Sequence, residues 1–140
     1  MSEKQGLDLL KTILLADDNK SERSQQMKIL VECGYDAFEA EDISQTMEKY
    51  KEVQPDLVII ILNPLGATWE CVSKGLPIAK ELIEYDNSAL VIMTSSNGTH
   101  RNIIDAVQCG VKDLLTLPLY PNRLIEAVEK LIGKPNNQRQ

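Results

Sequence analysis

The segment DLVIIIL, residues 56–62, decides the fold of this chain. It contains six consecutive apolar residues, four of which are β-branched, and such residues favour extended structure. The run is too short to cross a membrane and has no polar face, so it is typical of a strand that is buried on both sides. The segment therefore predicts the central strand of a parallel sheet that is covered by helices.

The flanking sequence alternates short apolar runs with segments of helical periodicity. Together with 56–62, four further runs are predicted as strands, at residues 13–16, 35–40, 89–94 and 113–117. Helices are predicted within 17–34 and at 43–53, 75–86, 99–109 and from Pro121 onward. In the first of them Met27, Leu30 and Val31 share one face, and Gly34 is the expected end. This order predicts an α/β domain over residues 12–132 with a doubly wound, five-stranded parallel sheet and five helices.

The two ends of the chain are polar. Residues 1–11 lack the basic-then-apolar order of a signal peptide, and no segment approaches the length of a membrane span. These features predict a cytoplasmic protein without a membrane partner. Residues 133–140, GKPNNQRQ, contain no apolar anchor and are predicted to be an unanchored, frayed tail or the start of a linker.

Composition excludes some classes of function. The chain of 140 residues has 21 acidic and 15 basic side chains, a net charge of −6, which disfavours binding to nucleic acid. The three cysteines, Cys33, Cys71 and Cys109, form no CxxC or Cys/His motif, so reduced thiols are favoured over a metal or redox role.

Residues at the carboxyl ends of the predicted strands are the candidates for function, because ligands of doubly wound sheets bind there. These residues are Asp17 and Asp18 after the first strand, 61–64 at the third, Thr94 and Ser95 after the fourth, and Leu117 and Pro118 after the fifth.

At these positions the chain resembles the receiver domains of bacterial two-component response regulators. The matching segments are ILLADDN, PDLVI, GLPIAKELIEYDNSALVIMTS, AVQCGVKDLLTLPL and LIEAVEKLI, in the order and spacing of that family. The resemblance implies a CheY-like, flavodoxin-like (βα)5 fold. It also implies a site in which an acidic pair holds Mg²⁺, an aspartate accepts a phosphoryl group, and a hydroxyl and a lysine contact that group.

Only part of this site is retained. By resemblance, Asp17 and Asp18 match the acidic pair, Thr94 the hydroxyl residue, and Pro118 the proline that follows the lysine. Bound Mg²⁺ needs few protein carboxylates, so weak binding by the acidic pair is one alternative. The other is that both aspartates cap the first helix and face solvent.

The residues that perform the chemistry in the family are replaced. The phosphoacceptor position falls on Ile61 and the lysine position on Leu117, while the aromatic position of the fifth strand falls on Leu114. Isoleucine has no lone pair with which to attack phosphorus, and leucine cannot neutralise a phosphoryl oxygen. We therefore expect a degenerate receiver that is not an enzyme, needs no cofactor and binds proteins without being phosphorylated.

Three alternatives stay open at this point. A relocated aspartate, Asp17 or Asp18, could accept the phosphoryl group. Thr94 could simply end its strand with its hydroxyl on a backbone group. The fold could also serve as a flavodoxin-like binder of a small ligand, since fold alone does not fix function.

The expected partners are a histidine kinase, another receiver, an effector domain or a second copy of this chain in a homodimer. By resemblance they would dock on the fourth helix, fifth strand and fifth helix, where Arg101, Lys112, Leu119 and Tyr120 lie. Trp69, in the long loop 63–75, either anchors a partner or covers the apolar patch at Ile61 and Leu117.

Overall fold

The computed structural model describes residues 10–17, 20–41, 43–61, 78–95, 107–116 and 120–135. The strands are β1 (Thr12–Asp17), β2 (Asp36–Ala40), β3 (Leu57–Ile61), β4 (Val91–Ser95) and β5 (Asp113–Thr116). The helices are α1 (Lys20–Cys33), α2 (Ile43–Val53), α3 (residues 78–85 described), α4 (residues 107–109 described) and α5 (Pro121–Ile132). Each predicted strand and helix has a counterpart among the described residues, and the boundaries that are described differ from the predicted ones by at most a few residues. The predicted starts of α3 and α4 lie outside the described residues.

The five strands form one parallel sheet in the order β2-β1-β3-β4-β5. All five residues of β3 are buried, as its uninterrupted apolar sequence requires of a central strand. The order reverses between β1 and β3, which is where ligands of doubly wound sheets bind. The predicted fold class is confirmed.

Helices cover both faces of the sheet because successive strand residues point to opposite sides. On one face, Leu14, Val58 and Ile60 of the sheet form an apolar cluster with Tyr50 of α2 and Leu82 of α3. The alternate strand residues form a second cluster with α1 and α5: Ile13, Leu15, Ile59, Ile61, Ile92, Leu115, Leu30, Leu124 and Val128. Each face of the sheet therefore has its own core.

The buried face of α1 differs from the prediction. Val31 was expected to face the core with Met27 and Leu30, but it is 53% exposed. The buried residues of α1 are Arg23, Gln26 and Leu30, which are spaced by three and four residues and so share one side of the helix. An apolar pattern cannot detect this face, because two of its three residues are polar.

The end of the described chain also differs from the prediction. Gly133 and Pro135 were expected to belong to an unanchored tail. Instead, the Gly133 carbonyl accepts a hydrogen bond from the Tyr35 hydroxyl at 2.9 Å. Pro135 lies against Gly34, where a Cβ atom would come within 3.0 Å of the proline ring. The prediction is wrong for these residues because it considered only apolar side chains as anchors.

No helix within the described ranges is long and apolar enough to cross a membrane.

Two buried tyrosines, Tyr35 and Tyr50, should make the stability of the fold depend on pH in the alkaline range. Burial, with smaller contributions from Glu129 and Cys33, raises the pKa of Tyr35 from 10.0 to about 12. Burial and a hydrogen bond to Asp86 also raise the pKa of Tyr50. A phenol whose pKa is higher in the folded chain binds its proton more tightly there. The stability it contributes is complete below its unfolded pKa near 10 and is lost as pH rises through the folded value.

We therefore expect the free energy of unfolding to fall by on the order of 2 kcal/mol between pH 10 and about 12. Urea unfolding followed at several alkaline pH values measures this change. The matched control is the double variant Tyr35→Phe/Tyr50→Phe, which should lose less stability over the same range. Equal losses in the two proteins would show that other groups cause the alkaline destabilisation.

Candidate functional site

Three residues predicted for the site lie side by side at the carboxyl edge of the sheet. Asp17 pairs in register with Ile61, and Ile61 pairs with Thr94, on the neighbouring strands β1, β3 and β4. All three are buried, with 3%, 2% and 0% of their surface exposed. Asp18, Leu117 and Pro118, the other residues predicted for the site, lie outside the described residues.

The three residues also share one face of the sheet, because each continues the alternation of its strand. Asp17 follows Ile13 and Leu15, and Ile61 follows Ile59, on the face that α1 and α5 cover. Ile61 itself belongs to the apolar cluster on that face. The middle of the three positions is therefore a hydrocarbon side chain between a carboxylate and a hydroxyl.

Asp17 is not a solvent-facing helix cap. It is the last residue of β1 and only 3% of it is exposed, so that alternative is wrong for this residue. Its backbone carbonyl oxygen accepts a hydrogen bond from Nη1 of Arg23 at 2.7 Å.

The side chain of Thr94, including its hydroxyl group, is fully buried. Within the part of the chain that the structure describes, its Oγ1 atom has no hydrogen-bond partner. The alternative in which this hydroxyl bonds to a backbone group therefore finds no support among these residues. Thr94 thus presents an unsatisfied polar atom next to Ile61, whereas most buried polar atoms in folded proteins have partners.

No structural role was predicted for Arg23 from the sequence. Its side chain is only 6% exposed, and its Nε atom donates to Oε1 of Glu39 on β2 at 2.6 Å. With the bond to the Asp17 carbonyl, the guanidinium links α1 to the ends of β1 and β2. The available signal was its spacing from Leu30, which places both residues on one side of α1.

A metal site is not formed by the described residues alone. Across these ranges, no three His, Cys, Asp or Glu side chains lie close enough together to hold a metal ion. Asp17 is the one member of the predicted acidic pair that the structure describes. It could supply one carboxylate oxygen to Mg²⁺, a metal that commonly retains several of its waters.

The predicted docking surface is only partly described. Lys112 is exposed and precedes β5, and Tyr120 is 65% exposed and precedes α5. They flank the two ends of β5, which is an edge strand. Val107, at the end of α4, is 63% exposed and was not predicted to contribute. Arg101, Leu119 and Trp69 lie outside the described ranges.

Comparison with known proteins gives a consistent result. The family model described as "Response regulator receiver domain" matches residues 13–129. The chemotaxis protein CheY of Bacillus subtilis is 37% identical over 122 residues, which cover 86% of this chain and 97% of that protein. CheY of Thermotoga maritima is 32% identical over 122 residues, with the same shares of each chain covered.

The solved structures agree with the fold. The crystal structure of Vibrio cholerae chemotaxis protein CheY4 superposes on this chain with a TM-score of 0.76. The superposed residues make up 87% of this chain and 98% of the CheY4 chain. Its sequence is 18% identical, so this likeness concerns the fold alone.

Proposed function

Because this chain belongs to the response regulator receiver domain family, whose members act in two-component signalling, we propose that it is a pseudo-receiver. In this proposal the domain binds signalling proteins in the cytoplasm without accepting a phosphoryl group. The observation that carries the proposal is Ile61, which lies buried in register between Asp17 and Thr94.

The chemistry of phosphoryl transfer explains why this one residue matters. The reaction needs an in-line nucleophile, a divalent metal, and cations placed against the equatorial oxygens. Ile61 supplies only methyl and methylene groups to the position between Asp17 and Thr94. By resemblance, the lysine position holds Leu117, so that a second component of the mechanism is also missing.

Loss of the phosphoryl site changes how such a domain is regulated. A ligand shifts a conformational equilibrium only if it binds the two states with different affinity. A domain without a phosphoryl ligand keeps the conformational equilibrium that its own packing determines. Its signalling state then follows the concentration of its partner, which in this proposal is a histidine kinase, another receiver or an effector domain.

The proposed contact surface includes the exposed side chains that flank β5. Tyr120 and Val107 are large apolar groups exposed by 65% and 63%, and Lys112 adds a positive charge. Exposed aromatic side chains are frequent anchors in protein interfaces. The single tryptophan, Trp69, and the residues Arg101 and Leu119 are proposed to belong to the same or an adjacent surface.

An NMR titration of backbone amides tests the proposal. Mg²⁺ is added first, followed by beryllofluoride, which mimics a phosphoryl group. We expect no saturable shift with beryllofluoride at Asp17, Ile61 or Thr94, because Ile61 offers no oxygen to beryllium. Bacillus subtilis CheY, titrated in parallel, controls for the activity of the reagent.

Each alternative gives a different result. Saturable shifts with Mg²⁺ alone, centred on Asp17, would show that residual metal binding survives while the rest of the proposal stands. Beryllofluoride shifts that require Mg²⁺ would overturn the proposal and indicate a relocated phosphoacceptor. Substitution of Asp17 and Asp18 by asparagine, one at a time, would then identify that acceptor.

A further inference from the structure

The residues that follow α5 are fixed at the opposite end of the sheet from the candidate site. The Tyr35 hydroxyl donates to the Gly133 carbonyl at 2.9 Å, and Nζ of Lys11 donates to the Ile132 carbonyl at 2.5 Å. Lys11 and Tyr35 immediately precede β1 and β2. Both bonds therefore attach the end of α5 to the amino ends of two neighbouring strands.

The backbone is shaped for this close contact. Gly133 has φ of 82°, and its N–H donates to the Glu129 carbonyl at 2.8 Å to close the last turn of α5. A Cβ atom at Gly133 would lie 2.9 Å from Nζ of Lys11. At Gly34, φ is 109° and a Cβ atom would lie 3.0 Å from Cβ of Pro135. A side chain at Gly34 would press against the Pro135 ring, and one at Gly133 would displace the Lys11 ammonium; both positions also have the positive φ that favours glycine.

Lys11 and Tyr35 both supply hydrogen-bond donors to backbone carbonyl groups at the end of α5. The last carbonyl groups of α5 have no partner within the helix and carry partial negative charge. Lys11 is half-buried, and its ammonium group donates to one of these carbonyls. The Tyr35 ring is 2% exposed, so that its hydroxyl is held in place by the surrounding core.

We propose that Lys11, Tyr35, Gly133 and Pro135 form a C-terminal clamp that holds the last turn of α5 against β1 and the α1–β2 turn. Opening of the clamp frees this turn while the sheet stays folded. The clamp thereby sets the orientation of α5 independently of the carboxyl edge where Asp17, Ile61 and Thr94 lie.

A closed clamp also changes how α5 meets a binding partner. α5 contributes one face of the domain; its residues Leu124, Ala127 and Val128 are buried in the core, and Ile125, Leu131 and Ile132 pack against the same cluster. A partner that contacts the outer side of α5 meets a surface fixed in advance when the clamp is closed, which reduces the entropy lost on binding. Its affinity should therefore fall when the clamp is opened.

Hydrogen exchange in the variant Tyr35→Phe tests the clamp. The substitution keeps the buried ring and removes only the hydroxyl that donates to Gly133. We expect amide exchange in the last turn of α5, up to Gly133, to accelerate about tenfold, whereas exchange in β3 stays unchanged. Lys11→Met, which retains the apolar stem and removes the ammonium, should accelerate the same amides.

Tyr50→Phe is the matched control. Tyr50 is also a buried tyrosine, and its hydroxyl donates to Asp86 at 2.7 Å, but it lies in the apolar cluster on the other face of the sheet. Its loss should leave exchange in α5 unchanged. Unchanged exchange in α5 of Tyr35→Phe, or equal acceleration in α5 and β3, would refute the clamp. The beryllofluoride titration has no bearing on these amides, so this proposal and the proposed function fail separately.

Discussion

Ile61→Asp is expected to lower the free energy of unfolding by about 3–5 kcal/mol in the absence of divalent metal. Ile61 is 2% exposed, belongs to the apolar cluster between the sheet and α1 and α5, and pairs in register with Asp17. A carboxylate at this position would lose the apolar contacts of the isoleucine. It would also be buried beside the Asp17 side chain, whose charge has the same sign.

Urea unfolding of wild type and variant measures this loss. Ile61→Val is the matched control, because it removes one methylene group and should cost less than about 1.5 kcal/mol. Mg²⁺ should restore part of the stability of Ile61→Asp, since a ligand that binds only the folded chain stabilises it by mass action. A loss below about 1 kcal/mol without metal would show that the carboxyl edge is already hydrated and polar around Ile61.

Arg23→Met is expected to cost about 2–4 kcal/mol. The variant keeps most of the side-chain volume but removes the guanidinium that donates to the Asp17 carbonyl at 2.7 Å and to Glu39 at 2.6 Å. Glu39 is half exposed and can regain water, so most of the cost falls on the buried carbonyl group. Thermal or urea unfolding measures the difference.

Arg123→Met is the matched control, because it removes an exposed arginine instead of a buried one. Arg123 is 47% exposed, and its ion pairs with Asp113 and Glu126 are 3.8 and 3.9 Å long. Exposed pairs of this length contribute less than about 1 kcal/mol. Similar losses in Arg23→Met and Arg123→Met would contradict the structural role assigned to Arg23. A double-mutant cycle of Arg23→Met, Glu39→Gln and the combined variant separates the ion pair from the bond to the carbonyl.

The sheet could be predicted because its signals are local. The run 57–62 marks a buried strand by its own composition, and Pro121 marks the start of α5 through its fixed φ and missing N–H. Strand ends in a parallel sheet meet at one edge, so the predicted strands also placed Asp17, Ile61 and Thr94 together. The observed register agrees with that placement.

Contacts between polar groups distant in sequence could not be predicted. The buried Arg23 side chain donates to Glu39, which lies 16 residues away on another strand. The anchoring of Gly133 depends on Tyr35, 98 residues away, and that of Ile132 on Lys11, 121 residues away. Apolar periodicity carries no information about such pairs, which explains both the wrong face of α1 and the wrong description of residues 133–135 as unanchored.

The beryllofluoride step of the NMR titration, followed at the amides of Asp17, Ile61 and Thr94, tests the central claim most directly. These residues span the three neighbouring strands on which the phosphoryl chemistry of a receiver would act. A pseudo-receiver predicts that all three amides keep their positions in Mg²⁺ and beryllofluoride, while the parallel sample of Bacillus subtilis CheY responds. Saturable movement of these amides only when both reagents are present would contradict the claim and establish a working phosphoryl site.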